Sequence, residues 1–400
     1  MEETAVIIVG AGPAGLATAA CLKKLSIPHI VLEKEECLAS LWRNRSYDRL
    51  HLHLAKEFCA LPYAPHSAAS PTYIPKDAFI RYLDDYALRF GISPRYRRCV
   101  EAARFDDAEG KWHVVARREG SGEVEEYTAP FLVVASGDNA EGYVPVIPGK
   151  EVFGGEIVHS REYKSGKKYE GKEVLVIGCG NSGMEIAYDV SNYGGHASIV
   201  VRSPVHVFTR DMIRAGMTLL NYLPLYMVDM AISWCGKLKY GDLSSYGLRS
   251  PADGPFYLKA VTGKSPVIDV GTIHKIKTGE IKVVPAIHEI KERSVVFEDG
   301  REQNFDAIVF ATGYMSSAAK WLKKYNKRFL RQNELSFECF YMQVGGKNGY
   351  GENGNGNAKW KGEEKGLYMA GFSKKGILGI KMDAEAIASD IEMTIKKLGM

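Results

Sequence analysis

The chain has 400 residues, enough for two domains, and its 46% hydrophobic and 25% charged content is ordinary for a soluble folded protein. A net charge of +4, with no Lys/Arg-rich block and no zinc-finger spacing, excludes an evident nucleic-acid binder, and no metal is expected. Seven dispersed cysteines without a CxxC pair read as reduced packing thiols, and the acidic start MEETAVIIVG has no leader-like pattern, so a cytoplasmic location is expected.

Residues 5–9 (AVIIV) form a continuous apolar run, the pattern of a strand buried on both faces. A glycine-rich turn and a helix through about Lys24 follow, then a strand, HIVLE, ending at Glu33. Lys76 to Phe90 predicts an amphipathic helix with Phe79, Tyr82, Leu83 and Tyr86 on one face. Residues 97–135 alternate like antiparallel strands and end in the buried run PFLVVASG. The pattern then restarts with strand, turn and helix in KEVLVIGCGNSG, and ASIVVR gives the next strand. Met217 to Cys235 is apolar but is broken by Asn221, Pro224 and Asp229, which falls short of a membrane span. It is expected as a buried or cleft-lining helical pair, with a peripheral membrane contact as the alternative. Short strands recur in KVVPAIHEI, SVVFEDG and DAIVFATGY, the polar segment 344–357 reads as a mobile surface loop, and a last helix aligns Ile387, Ile391 and Ile395. The expected fold is α/β, with two nested Rossmann-like units: 1–165 with 306–400, and an inserted 166–305.

Both glycine-rich turns carry dinucleotide chemistry. In Gly10-Ala11-Gly12-Pro13-Ala14-Gly15, Gly10 permits the turn, Gly12 lets backbone approach a pyrophosphate, and Gly15 lets helix and strand pack closely. The diphosphate then meets the positive end of the helix, where Pro13 costs no hydrogen bond. Glu33, 18 residues past Gly15, is placed to accept a ribose hydroxyl, with Lys34 and Trp42 close by. The second turn is Gly178-Cys179-Gly180-Asn181-Ser182-Gly183. At the position equivalent to Glu33 it is followed by Arg202, with Ser203 next and Arg210 further on. An acid there repels a 2′-phosphate, whereas an Arg binds it, so the first site is expected to hold FAD and the second NADPH. No cysteine pair suits a flavin disulfide reductase, which points to oxygen or an organic acceptor.

Between the two units, Phe153 to Tyr163 resembles the FxGxxxHxxxY signature of class B flavin monooxygenases, with His159 in the signature position, and the resemblance implies that this segment links the domains and contacts NADPH. The stretches from Trp42 to His53, Lys56 to Pro62, Pro71 to Lys76, Val133 to Ala140, Pro266 to Val284, FATGY (with Gly313) and GLYMAGFSKKGILG are similar to the plant YUCCA group of indole-3-pyruvate monooxygenases. Ser136 in place of the usual Thr, Ala55 where Pro commonly precedes Lys56, and the polar 344–357 loop depart from that pattern.

The resemblance implies that NADPH reduces FAD, that reduced flavin takes O2 as a C4a-peroxyflavin, and that indole-3-pyruvate loses CO2 to give indole-3-acetate in auxin synthesis. No side chain has to supply a nucleophile. Lys56 and Asn139 are expected to act at the flavin face, with Trp42, Arg43 and Leu54 shaping the pocket. Arg214 and Lys56 are candidates for the substrate carboxylate, and segment 217–235 for the indole. Two alternatives stay open: a monooxygenase of soft N or S centres, and a flavoprotein that only releases H2O2.

Overall fold

A computed structural model describes residues 1–322 and 366–399. Two parallel sheets organise it. The first has strand order Leu367–Met369, Phe131–Val134, Val6–Val9, His29–Leu32, every neighbour parallel. Its side chains alternate between two cores. Val6 and Ile8 face the helices Pro13–Lys24, Lys76–Arg89 and Gly376–Leu398, while Ile7 and Val9 face a second layer around the fully buried Trp112. That layer is an antiparallel sheet of Arg98–Asp106, Lys111–Arg118 and Val124–Ala129.

The second parallel sheet repeats the design. Its order is Ile281–Val284, His196–Val200, Glu173–Ile177, Ala307–Phe310, Glu156–His159. Val174 and Val176 face the helices Asn181–Asn192 and Thr272–Lys277, and Leu175 and Ile177 face an antiparallel layer built on Ile287–Ile290 and Ser294–Phe297. The fold is therefore a two-domain α/β fold, with one unit inserted in the other.

The joints differ from the sequence expectation. Glu156–His159 and Ala307–Phe310, assigned above to the first unit, both pair within the second sheet. An apolar run announces a strand but not its neighbour, so boundaries at 165/166 and 305/306 were set one strand too far inward. The chain crosses between units where Glu141–Gly142 and Tyr314–Met315 run antiparallel, Gly142 against Tyr314 and Glu141 against Met315. Both passes thus form one two-stranded hinge.

A helical layer of Arg210–Leu219, Leu225–Tyr240 and Pro255–Thr262 leaves the second unit and closes over the first. Segment 217–235 falls in a helical pair that lines a cavity, one of the two places expected for it, and is half buried. Leu225, Val228 and Ile232 pack inward, but Tyr226, Met230, Trp234 and Leu238 form an i, i+4 row whose exposure runs from 63% at Trp234 to 71% at Leu238, with exposed Tyr222 in the turn before it. No helix among the described residues is long and apolar enough to cross a membrane. The polar 344–357 loop lies outside the described residues. The Gly376–Leu398 helix buries Ile387 and Ile391 and half-buries Ile395, the row anticipated from its spacing.

Candidate active site

The two glycine-rich loops are nearly the same object. Gly10 and Gly178 both have φ of 111°, and a Cβ on either would stand 2.5 Å from a carbonyl, of Ala135 and Ala311 respectively. Gly15 and Gly183 lie so close to the carbonyls of Gly10 and Gly178 that a Cβ would reach 1.9 Å and 1.8 Å. Gly12 and Gly180 differ in kind: both are extended N-caps, and a Cβ there meets no protein atom within 4 Å. The space in front of these two N-caps is open, as a pyrophosphate needs, and the Ala14, Gly15, Ser182 and Gly183 N–H groups of the first helical turns have no acceptor four residues back. In each unit a third segment closes on the loop, Ala135-Ser136-Gly137 and Ala311-Thr312-Gly313, with φ of 79° at Gly137 and 96° at Gly313. The Ser136 hydroxyl is buried beside the first loop and has no partner among the described residues, an orphan of the kind a bound group satisfies.

The residues after the second strands set the loops apart. Glu33 is buried, and its two carboxylate oxygens accept the Ala11 N–H at 2.7 Å and the Glu35 N–H at 3.0 Å. Burial pushes its pKa up while those two N–H groups pull it down. Lys34 next to it is exposed. Arg202 and Ser203 are exposed at the matching place. The Arg202 charge reaches Cys179 inside the second loop, and its guanidinium has no ion pair or hydrogen bond among the described residues. Arg210 is not beside it: its guanidinium lies over the Tyr73 ring at 5.2 Å, on the first unit.

The signature segment is a staple. His159 is buried; its Nδ1 accepts the Arg161 N–H at 3.2 Å, so its Nε2–H donates to the Gly313 carbonyl at 3.1 Å. That carbonyl also accepts the Tyr143 N–H at 2.9 Å. Both ring nitrogens are thus occupied, and His159 fixes the Gly313 turn and the hinge rather than offering a donor to a cofactor. Tyr163 donates to Asp189 at 2.7 Å, and Asp189 also takes the Gly166 N–H. The segment after Trp42 completes the joint: His53 meets Glu185 at 3.2 Å, Arg49 lies 3.9 Å from Asp189, and Lys164 donates to the carbonyls of Asn44 and Ser46.

Several pocket residues take other places than expected. The Lys56 ammonium donates to three carbonyls, of Ser67, Ala68 and Ser70, at 2.6–2.9 Å, so all three of its N–H bonds brace a loop and none is left for flavin or substrate. Arg214 is committed to Glu57 at 2.6 Å. Trp42 packs edge-on against Phe79 and Arg43 pairs with Asp84, both anchoring the Ser40–Asn44 helix to the Lys76–Arg89 helix. The Asn181 side chain is spent on the Pro266 carbonyl and the Ile268 N–H. Asn139 is exposed just beyond Gly137, and Leu54 packs on both the first core and the helical layer, where the units meet. Asp138 and Lys259, 121 residues apart in the chain, interact electrostatically across this junction, and no sequence pattern announces the pair. A cavity of about 680 Å3 lined by Phe208, Tyr226, Trp234 and Tyr257 lies in the helical layer, and none of its lining residues belongs to either glycine-rich loop.

The model of the flavin-binding monooxygenase-like family matches residues 3–327. This chain belongs to that family. Among its relatives is a probable indole-3-pyruvate monooxygenase, YUCCA10 of Arabidopsis thaliana, 50% identical over 99% of both chains. The indole-3-pyruvate monooxygenase YUCCA1 of Oryza sativa subsp. japonica is 45% identical over 96% of this chain and 90% of its own. The flavin-binding monooxygenase-like fold is also that of a solved flavin-containing monooxygenase from Stenotrophomonas maltophilia, with a TM-score of 0.70 at 18% identity, covering 98% of this chain and 99% of the other. The cyclohexanone monooxygenase from Rhodococcus sp. Phi1 bound to NADP+ matches with a TM-score of 0.71 at 17% identity, over 99% and 85%.

Proposed function

We propose that the chain is an NADPH- and O2-dependent flavin monooxygenase that converts indole-3-pyruvate to indole-3-acetate and CO2. For the cofactors, the carrying observation is the contrast between two matched loops, one followed by buried Glu33 and the other by exposed, unpaired Arg202. For the reaction, support comes from the relatives that bear this activity in their names at 45–50% identity.

In this account the first-turn N–H groups behind Gly12 hold the FAD diphosphate and Glu33 accepts its ribose hydroxyls, while Gly180 and Arg202 do the same for the NADPH diphosphate and 2′-phosphate. Bound FAD, reduced by NADPH, supplies the oxygen chemistry. The protein's part is to orient and to keep water out. The hinge through His159, Gly313 and Tyr143 and the contacts of Arg49 and His53 fix the two units face to face. Leu54 and the helical layer close the junction with apolar surface. The reaction balances as one 2-oxo acid, O2, NADPH and a proton giving the shortened acid, CO2, NADP+ and water.

The assay is NADPH oxidation with indole-3-pyruvate in air, with catalase present because free H2O2 decarboxylates 2-oxo acids by itself. Indole-3-acetate equal to the NADPH consumed is expected. Consumption without product, or turnover of a thiocarbamide sulfur in place of the keto acid, contradicts the proposal. The exposed Tyr226-to-Leu238 row, beside Lys237 and Lys239, is the face for a peripheral contact with an anionic lipid surface; co-sedimentation with anionic vesicles that survives Trp234→Ser would reject that face.

A further inference from the structure

Lys56 spends all three N–H bonds on backbone carbonyls and Arg214 pairs with Glu57 through its Nε–H, which leaves room for a further cation at the carboxylate of a 2-oxo acid. Lys259 stands on the Pro255–Thr262 helix of the second unit's helical layer. That helix is held from outside its own sequence: the buried Asp229 carboxylate accepts the Phe256 N–H at 2.8 Å and the Tyr257 N–H at 3.0 Å at its first turn. Gly254 makes this approach feasible, since a Cβ there would stand 2.3 Å from the Asp229 carboxylate. Lys259 stands where that helix meets the first unit, within electrostatic reach of Asp138 and Lys374.

Both of those residues lie at the carboxyl edge of the first parallel sheet. Asp138 follows the Phe131–Val134 strand and the Ser136-Gly137 turn, which closes on the first glycine-rich loop. Lys374 lies in the turn from the Leu367–Met369 strand to the last helix, and the same turn places Gly371 against Ala14 of that loop. The carboxyl edge is where open α/β sheets bind ligands. Lys374 holds a left-handed φ of 57°, a strain that a lysine adopts only where the surroundings impose it. Its side chain crosses Gly263, where a Cβ would come within 2.6 Å of it. Lys259 Nζ donates to the Gly263 carbonyl at 3.1 Å and the Ser265 hydroxyl at 2.8 Å, which leaves its third N–H without a partner among the described residues. Lys259 and Lys374 thus meet at Gly263, where the two units join, within electrostatic reach of Asp138.

We propose that Lys259 anchors the substrate carboxylate, reaching across the junction so that its free N–H takes an anionic oxygen at the carboxyl edge of the first sheet. The inference rests on the 2-oxo-acid activity proposed above. It is consistent with the electrostatics: burial and the Lys374 charge push the Lys259 pKa down to about 8, so a carboxylate taken by Lys259 would favour its charged form.

The test is equilibrium binding of indole-3-acetate and of its neutral isostere indole-3-acetamide to the FAD-loaded protein. Wild type is expected to prefer the acid. Lys259→Met should weaken acid binding at least about tenfold, the worth of one charged hydrogen bond, and leave the amide and the FAD content unchanged, with Lys259→Arg restoring most of the preference. A Lys259→Met protein that keeps the acid preference overturns the anchor while the 2-oxo-acid activity stands. A wild type that neither prefers the acid nor makes indole-3-acetate overturns both. Should the Met variant not fold, the wild type still decides: its acid affinity should fall above pH about 8, as the ammonium facing Asp138 and Lys374 is lost, with the amide unaffected. An acid affinity flat to pH about 10 overturns the proposal.

Discussion

Glu33 is hydrogen-bonded to the loop it serves: its Oε2 accepts the Ala11 N–H at 2.7 Å across 22 residues of sequence. The carboxylate that is to receive a ribose hydroxyl therefore also sets the shape of the turn that is to receive the diphosphate. Glu33→Gln loses the charge on both bonds, and Glu33→Ala loses the bonds themselves. Flavin affinity is expected to fall by about 1.5–3 kcal/mol in the Ala variant and by less in the Gln variant, since the amide oxygen still accepts one N–H. Titration of deflavinated protein with FAD measures both, and equal affinities for wild type and Glu33→Ala would remove Glu33 from the site.

The glycines of the first loop separate folding from binding. A methyl at Gly15 collides with the Gly10 carbonyl, whereas a methyl at Gly12 meets only open space and an extended backbone. Gly12→Ala should fold with a melting temperature close to that of the flavin-free wild type and carry no FAD. Gly15→Ala should lose stability even without flavin, by the few kcal/mol typical of a forced overlap in a packed interior. Thermal melts of the apo proteins together with the yellow absorbance separate the two, and a flavin-loaded Gly12→Ala would refute the first site.

At the second loop Arg202 carries no structural duty among the described residues, so its removal should leave the fold untouched. Arg202→Ala is expected to raise the KM for NADPH by the equivalent of about 1.5–3 kcal/mol and to leave that for NADH nearly unchanged. Stopped-flow flavin reduction with each nucleotide gives the ratio. Equal losses would show that the 2′-phosphate is bound elsewhere.

His159 predicts a pH dependence of stability. Burial holds its ring below the ordinary 6.5, so the folded protein disfavours the imidazolium more than the unfolded chain does. The unfolded chain then binds more protons below 6.5, and stability that is intact above that pH is lost as the pH falls through it. His29 and His66 are shifted in the same direction and share the effect. His159→Gln, which can still donate to the Gly313 carbonyl, should shrink the drop in melting temperature between pH about 7 and pH about 5. An unchanged drop would mean that the ring is not buried neutral.

Much of this was legible in the sequence, because the loops obey local rules. The turn geometry at Gly10 and Gly178, the close packing at Gly15 and Gly183 and the acid or base after the next strand are all fixed by spacing within about 25 residues. Strand pairing is not local, and so neither the place of Glu156–His159 and Ala307–Phe310 in the second sheet nor the hinge beyond them is written in their own residues. Side-chain destinations are less local still. Lys56 sits in a family-like segment, yet its ammonium is used up by the carbonyls of Ser67, Ala68 and Ser70, and no pattern in the chain announces that. The same limit hid Lys259, which acquires its neighbours only when Asp229 caps its helix and the units close. The exposed row on Leu225–Tyr240 has a simpler cause. Its aromatic and apolar residues recur on two faces of one helix, and hydrophobicity alone does not say which face is covered.

The account stands most directly on where the oxygen goes. FAD-loaded protein is supplied with NADPH, indole-3-pyruvate and isotopically heavy O2, with catalase present to destroy free peroxide. Mass spectrometry of the product is predicted to show one heavy oxygen in the carboxylate of each indole-3-acetate and one molecule of product for each NADPH oxidised. NADPH oxidation with no heavy oxygen in indole-3-acetate would contradict it.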